Sequence, residues 1–303
     1  MKHSTIAIIG AGRVGTTTAY ALMLKDLAGE ILLVDIDPTR CKGEILDLSD
    51  SLSFSVTSKI REATPKEAAQ ADIIIITAGI AQKPGQSRRE LLAKNKKVMD
   101  SIAQSLQPIN PKAIILMITN PVDLMTRYMQ EKIGLPRNQV FGSGTFLDSQ
   151  RLHELISKKI GVAEQSIHAY ILGEHGDSQL VAWSSALVAG IPILDFPEVS
   201  EKDLALIAEQ AKKKVYEIIA CKGATFYGIA SCAASICESI IFDQKRVIPL
   251  SCYNKEFETC LSMPTIVGEQ GIEKILAISL TDNEKEALKK SANALLNQYQ
   301  EAT

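Results

Sequence analysis

Two hydrophobic rhythms alternate along the first part of the chain. Ile6-Ala7-Ile8-Ile9, Ile31-Leu32-Leu33-Val34, Ile73-Ile74-Ile75-Ile76 and Ala113-Ile114-Ile115-Leu116-Met117-Ile118 are apolar at every position. Such runs suit strands covered on both faces, as in parallel sheets. Between them lie helical patterns over residues 14–24, from Pro38 onward, and over residues 90–106. Pro38 suits the first turn of a helix. Strand–helix alternation predicts an α/β fold with a Rossmann-type doubly wound parallel sheet. After Gly142-Ser143-Gly144 the rhythm changes. Helices are predicted over residues 148–160 and 181–188, with a strand over 167–172 between them. A helix-rich stretch over 201–241 is interrupted near Gly223, shorter strand-like pieces follow Arg246, and a helix over 282–299 closes the chain. The expected division is residues 1–142, the doubly wound α/β domain, and residues 143–303, an α+β domain.

The length of 303 residues accommodates two medium domains. Hydrophobic residues make up 46% and charged residues 22%, enough for a core. A net charge of −2 gives no electrostatic pull toward nucleic acid or an anionic membrane. No apolar run approaches the ~20 residues of a membrane span. The first residues, Met1-Lys2-His3-Ser4, lead straight into an apolar strand, which predicts no secretion leader. The six cysteines form no C-x-x-C pair, so reduced thiols in a cytoplasmic protein are expected. With four histidines, a histidine-built metal site is not expected.

Gly10-Ala11-Gly12-Arg13-Val14-Gly15 sits between the first strand and the first helix. Asp35 ends the next strand, about 20 residues further on. This is the context of a dinucleotide site: Gly10 for the turn, Gly12 for approach of the pyrophosphate, Gly15 for helix packing. The helix N-terminus favours phosphate. A carboxylate at Asp35 accepts ribose hydroxyls and repels a 2′-phosphate, which favours NAD over NADP; the sheet alone leaves FAD or another adenosine ligand open.

Other positions carry chemistry. His175 lies in Gly173-Glu174-His175-Gly176-Asp177-Ser178, after an apolar strand, and histidine can exchange a proton with a carbonyl oxygen near neutral pH. Asp148 and Arg151 are three apart, on one face of a predicted helix beside Leu152, Leu155 and Ile156. A basic loop holds Gln82, Lys83, Arg88 and Arg89 around Pro84-Gly85 and reads as a lid that excludes water. Asn120 follows an apolar strand, where an open α/β sheet presents ligand contacts. A neutral amide at Gln82 leaves a second substrate carboxylate unpaired in a dry site, which disfavours a dicarboxylate.

Five segments together carry a resemblance: residues 78–88, Thr119-Asn120-Pro121-Val122-Asp123, residues 142–151, residues 173–178, and Lys222-Gly223-Ala224-Thr225-Phe226-Tyr227-Gly228. In this order the chain resembles the L-lactate/malate dehydrogenase family, on its L-lactate side. The resemblance implies reversible hydride transfer between NADH and pyruvate, giving L-lactate. It implies that His175 is the acid and base, Asp148 its partner, Arg151 the clamp on the substrate carboxylate, and Arg88 the lid arginine that polarises the carbonyl. Arg89 is expected to face solvent. Gln82, where malate-specific members have arginine, and Thr225 mark the lactate side. Asn120 contacts substrate and nicotinamide ribose, and Ile229 packs on the nicotinamide. Arg13, Val14, Thr77, Ala78 and Gly79 complete the expected cofactor contacts. A homo-oligomer is implied, a tetramer in preference to a dimer. Many bacterial members are activated by fructose 1,6-bisphosphate through an arginine and a histidine. His168 matches the histidine, but His153 stands in place of the arginine, so activation is expected to be weak or absent. The alternatives are a dehydrogenase for malate or a bulkier 2-hydroxy acid, and a non-catalytic NADH-binding protein.

Overall fold

The computed structural model describes residues 4–55, 59–80 and 88–301, with Arg88 and Arg89 described by backbone alone. The chain runs β1 (Thr5–Ile9), α1 (Arg13–Leu24), β2 (Glu30–Val34), α2 (Pro38–Asp50), β3 (Ile60–Glu62), α3 (Pro65–Ala68), β4 (Ile73–Ile76), α4 (Arg88–Ser105), β5 (Ile114–Met117), α5 (Val122–Lys132), β6 (Val140–Gly142) and α6 (Phe146–Ile160). It continues through β7 (Ile167–His168), β8 (Ile171–Leu172), β9 (Leu180–Val181), β10 (Leu187–Val188), β11 (Ile191–Pro192), α7 (Glu201–Lys222), α8 (Tyr227–Ile241), β12 (Arg246–Asn254), β13 (Thr259–Gly268), β14 (Gly271–Ile275) and α9 (Asp282–Glu301).

The apolar runs are the central strands of the main sheet. Its order is β3-β2-β1-β4-β5-β6-β12-β13-β14. Pairing is parallel from β3 to β6 and antiparallel from β6 onward. Because side chains alternate faces, each strand feeds two cores. Ile6, Ile8, Ile73 and Ile75 pack with Leu22 and Met23 of α1 and Ile236 of α8. Ala7, Ile74, Ile76 and Met117 pack with Met99 of α4 and Met125 and Met129 of α5. Each fully buried isoleucine contributes about 1.5–3 kcal/mol. A third core lies between α6 and α7, around Leu152, Ile156, Leu204 and Ile207. The order reverses between β1 and β4, so the crevice of the doubly wound sheet opens at their C-terminal ends.

The second half departs from three expectations. Residues 181–188 are not a helix: β9 pairs with β8, β10 pairs with β7, and a 3-10 turn at Trp183–Ser185 lies between. The strand expected over 167–172 divides for the same reason, since β7 and β8 join different small sheets. The pieces after Arg246 are long strands of 9 and 10 residues, and β12 meets β6 at Gly142. The main sheet therefore continues across residues 142–144. All six cysteines are free, and Cys221 alone is exposed. Among the described residues, no helix is long and apolar enough to cross a membrane, and no cluster of histidine, cysteine and carboxylate side chains is suited to a metal ion.

Candidate active site

The glycine-rich turn closes β1 onto α1 at close quarters. Gly10 has φ +113°, and a Cβ on Gly15 would lie 1.9 Å from the Gly10 carbonyl oxygen, so neither position accepts a side chain. A Cβ on Gly12 would meet no protein atom within 4 Å. Gly12 also caps α1 without any side-chain acceptor, which leaves first-turn N–H groups for an anion. The Asp35 carboxylate stands across the turn and accepts the N–H groups of Ala11 at 2.6 Å and Asp37 at 2.9 Å. Each oxygen keeps a lone pair for a ribose hydroxyl. Thr77 donates its hydroxyl to the Gly10 carbonyl at 3.0 Å and ties the end of β4 to the turn. Arg13, exposed at the start of α1, reaches toward Gly223 at the junction of α7 and α8. Val14 is half-buried behind it. These residues fit a dinucleotide with an unphosphorylated adenosine ribose.

The structure brings His175, Asp148 and Arg151 together. His175 Nδ1 lies 2.6 Å from Asp148 Oδ2, and Arg151 donates to Asp148 Oδ1 at 2.9 Å. Asp148 and Arg151 are buried, whereas the His175 side chain is 27% exposed. That exposure leaves the histidine the member of the trio open to a ligand. Burial opposes the Asp148 charge, but His175 and Arg151 outweigh it and hold the carboxyl below its ordinary range. Burial also opposes the imidazolium. The Asp148 carboxylate, helped by Asp123 and opposed by Arg151, more than offsets this and pushes the His175 pKa up to about 9. The remaining Arg151 donors bond to none of the described residues, which leaves them for a ligand carboxylate.

The loop that carries His175 is pinned from beneath. The His175 N–H donates to Asp123 Oδ2 at 2.8 Å from the first turn of α5. Burial pushes the Asp123 pKa up to about 6, against the hydrogen bond from the His175 N–H. The Glu174 N–H donates to Ser291 of α9 at 2.8 Å, and the Glu174 carboxylate accepts the Ser178 hydroxyl at 2.5 Å.

His175, Asp148 and Asn120 line one cleft of about 520 Å³, roofed in part by Leu91 and Leu92 of α4. Arg151 and Thr225 line a second, of about 360 Å³, and the Arg151–Asp148 bond joins the two. Thr225 lies in the connection between α7 and α8 and not in a helix interior, because Gly223 ends α7 in the left-handed conformation. Asn120 is exposed just beyond β5, and Ile229 is half-buried on α8. Ala78 and Gly79 leave β4 beside the glycine turn, where the Ala78 N–H donates to the Ile9 carbonyl at 2.8 Å. Gln82 and Lys83 lie outside the described residues, as do the side chains of Arg88 and Arg89.

Neither Asp123 nor Asn95 stands out in the sequence as a site residue. Each leaves a signal, a polar side chain within an apolar helical stripe: Asp123 beside Val122 and Leu124, Asn95 between Leu92 and Met99. The pattern marks the anomaly but not the partner.

Comparison with known proteins covers both halves of the chain. Residues 4–142 match the model of the lactate/malate dehydrogenase NAD binding domain. Residues 145–303 match that of the lactate/malate dehydrogenase alpha/beta C-terminal domain. L-lactate dehydrogenase A of Rhizopus oryzae is 45% identical, over 97% of this chain and 91% of the relative. L-lactate dehydrogenase of Lacticaseibacillus casei is 40% identical, over 97% of this chain and 92% of the relative. A lactate dehydrogenase from a Medee basin deep-sea metagenome library superposes with a TM-score of 0.96 at 33% identity, covering 100% of this chain and 99% of that one. The minor L-lactate dehydrogenase of Enterococcus mundtii, in a ligand-bound form, gives the same TM-score, identity and coverage. This chain belongs to the lactate/malate dehydrogenase family.

Proposed function

We propose that the chain is an NAD-dependent oxidoreductase that interconverts pyruvate and L-lactate. The observation that carries this reading is the His175–Asp148–Arg151 cluster at a cleft that Asn120 also lines, beyond β5 of the sheet whose β1 leads into the dinucleotide turn. NADH supplies the hydride that reaches the carbonyl carbon. Arg151 holds the substrate carboxylate. His175 gives its proton to the carbonyl oxygen and takes it back in the oxidation of L-lactate. Asp148 fixes the imidazole and favours its protonated form. Arg88 polarises the carbonyl, Gln82 and Thr225 shape the methyl end, and Asn120 contacts the substrate oxygen. Gly10, Gly12, Arg13, Val14, Gly15, Asp35, Thr77, Ala78, Gly79 and Ile229 hold the cofactor. Residues 1–142 bind the cofactor, and residues 143–303 supply the proton-transfer and carboxylate-binding groups. The test is to supply pyruvate and NADH and resolve the product on a chiral column. L-lactate in step with NADH loss is expected, whereas D-lactate or no product would overturn the reading.

The same reading covers cytoplasmic placement, in glycolysis, and a homotetramer. Tyr20 and Leu24 of α1, Leu46 of α2 and Phe54 beyond it are exposed apolar side chains suited to a subunit contact. His153 Nε2 sits 2.7 Å from the Ala169 carbonyl oxygen, and burial pushes its pKa down. A neutral, engaged imidazole is a poor phosphate ligand beside the exposed His168. Fructose 1,6-bisphosphate at neutral pH is expected to leave the apparent KM for pyruvate unchanged. A large fall in KM would contradict this.

A further inference from the structure

Asn95 is a fully buried amide one turn beyond Leu91 and Leu92 on α4. Its Nδ2 donates to the Asn120 carbonyl at 2.8 Å. Its Oδ1 accepts the Ile80 N–H at 2.8 Å, and Nδ2 also reaches the Ile80 carbonyl at 3.5 Å. One side chain thus joins the backbones beyond two neighbouring parallel strands, β4 and β5, at the ends that face the cleft. The backbone it bonds is closely packed where Gly79 meets Thr119. Thr119 donates its hydroxyl to the Ala78 carbonyl at 2.7 Å, and a Cβ on Gly79 would lie 2.5 Å from Thr119 Cγ2 and 3.5 Å from Asn95 Oδ1. The amide serves an N–H on one side and a carbonyl on the other, so neither aspartate nor leucine can take its place.

We propose that Asn95 is a positioning residue for the reaction, setting where Asn120 stands over the cleft. This rests on the reading of Asn120 as a substrate contact. Asn95 touches no substrate. It holds the Asn120 backbone against the end of β4, so that the exposed Asn120 side chain starts from a fixed point. A displacement of about 1 Å in such a group can cost about 10²-fold in rate.

The test is a double-mutant cycle on kcat/KM for pyruvate with Asn95→Asp, Asn120→Ala and the pair. Asn95→Asp keeps the acceptor for Ile80 and loses the donor to Asn120. It is expected to lower kcat/KM by about 10- to 100-fold in the unaltered chain. In the Asn120→Ala background it is expected to lower kcat/KM no further. A purely structural role would reduce the active fraction equally in both backgrounds, so the two losses would multiply and the inference would fall. Asn95→Ser replaces the aspartate variant if the latter does not fold, as judged by its thermal midpoint. If Asn120→Ala is itself silent, the reading of Asn120 fails and the inference with it. If Asn120→Ala is impaired while the losses multiply, the inference alone fails.

Discussion

Replacement of His175 by glutamine is expected to lower kcat/KM for pyruvate by about 10²–10⁴-fold, with NADH binding intact. Glutamine fills a similar space and can still bond to Asp148, but it has no proton to give near neutral pH. The pH profile of the unaltered protein carries the same signature. Reduction uses the protonated imidazole, whose pKa the Asp148 and Asp123 charges raise to about 9. Pyruvate reduction should therefore stay level through neutrality and fall as pH rises through about 9. Oxidation of L-lactate uses the neutral imidazole, so its kcat/KM should climb toward the same pH. The limbs have opposite signs because one group serves as acid in one direction and base in the other. A His175→Gln variant with undiminished turnover would remove the histidine from the mechanism.

The second large effect is expected at Arg151. Arg151→Lys keeps the positive charge and discards the planar fork. One guanidinium nitrogen is already bonded to Asp148, so the ligand must use the others, an arrangement that a single ammonium cannot reproduce. Lysine also leaves the buried Asp148 with a poorer partner. Loss of a buried, hydrogen-bonded charge pair is worth about 2–5 kcal/mol, or roughly 30- to several-thousand-fold in kcat/KM for pyruvate. NADH affinity, measured by fluorescence titration, should stay close to that of the unaltered chain, because Arg151 is not among the residues proposed to hold the cofactor. Unchanged pyruvate kinetics would refute the carboxylate clamp.

The central strands were legible because a run such as Ile73–Ile76 can be buried on both faces only inside a helix-covered sheet. The glycine turn was legible because the motif, its strand and its helix agree. Residues 181–188 were not, since their structure depends on two short pairings with β7 and β8 that no local periodicity encodes. The continuity of the sheet through Ser251 and Gly142 is likewise a tertiary fact. Within the candidate site, the i, i+3 spacing of Asp148 and Arg151 was enough to place them together. Their contact with His175 arises from a separate loop, held by Asp123 and Ser291. Asp123 and Asn95 were visible only as polar interruptions of apolar helices, because sequence shows which group is buried but not what it bonds.

The most direct measurement follows NADH absorbance with pyruvate and with oxaloacetate in parallel, using NADPH as a control. Fast turnover with pyruvate and NADH is expected, with oxaloacetate slower by orders of magnitude, since a neutral Gln82 leaves a second carboxylate unpaired. NADPH should be a poor donor, since Asp35 repels its 2′-phosphate. A preference for oxaloacetate would contradict the account: a lid cation such as Lys83 or Arg89 would then reach the second carboxylate. NADH binding without turnover of either substrate would also contradict it.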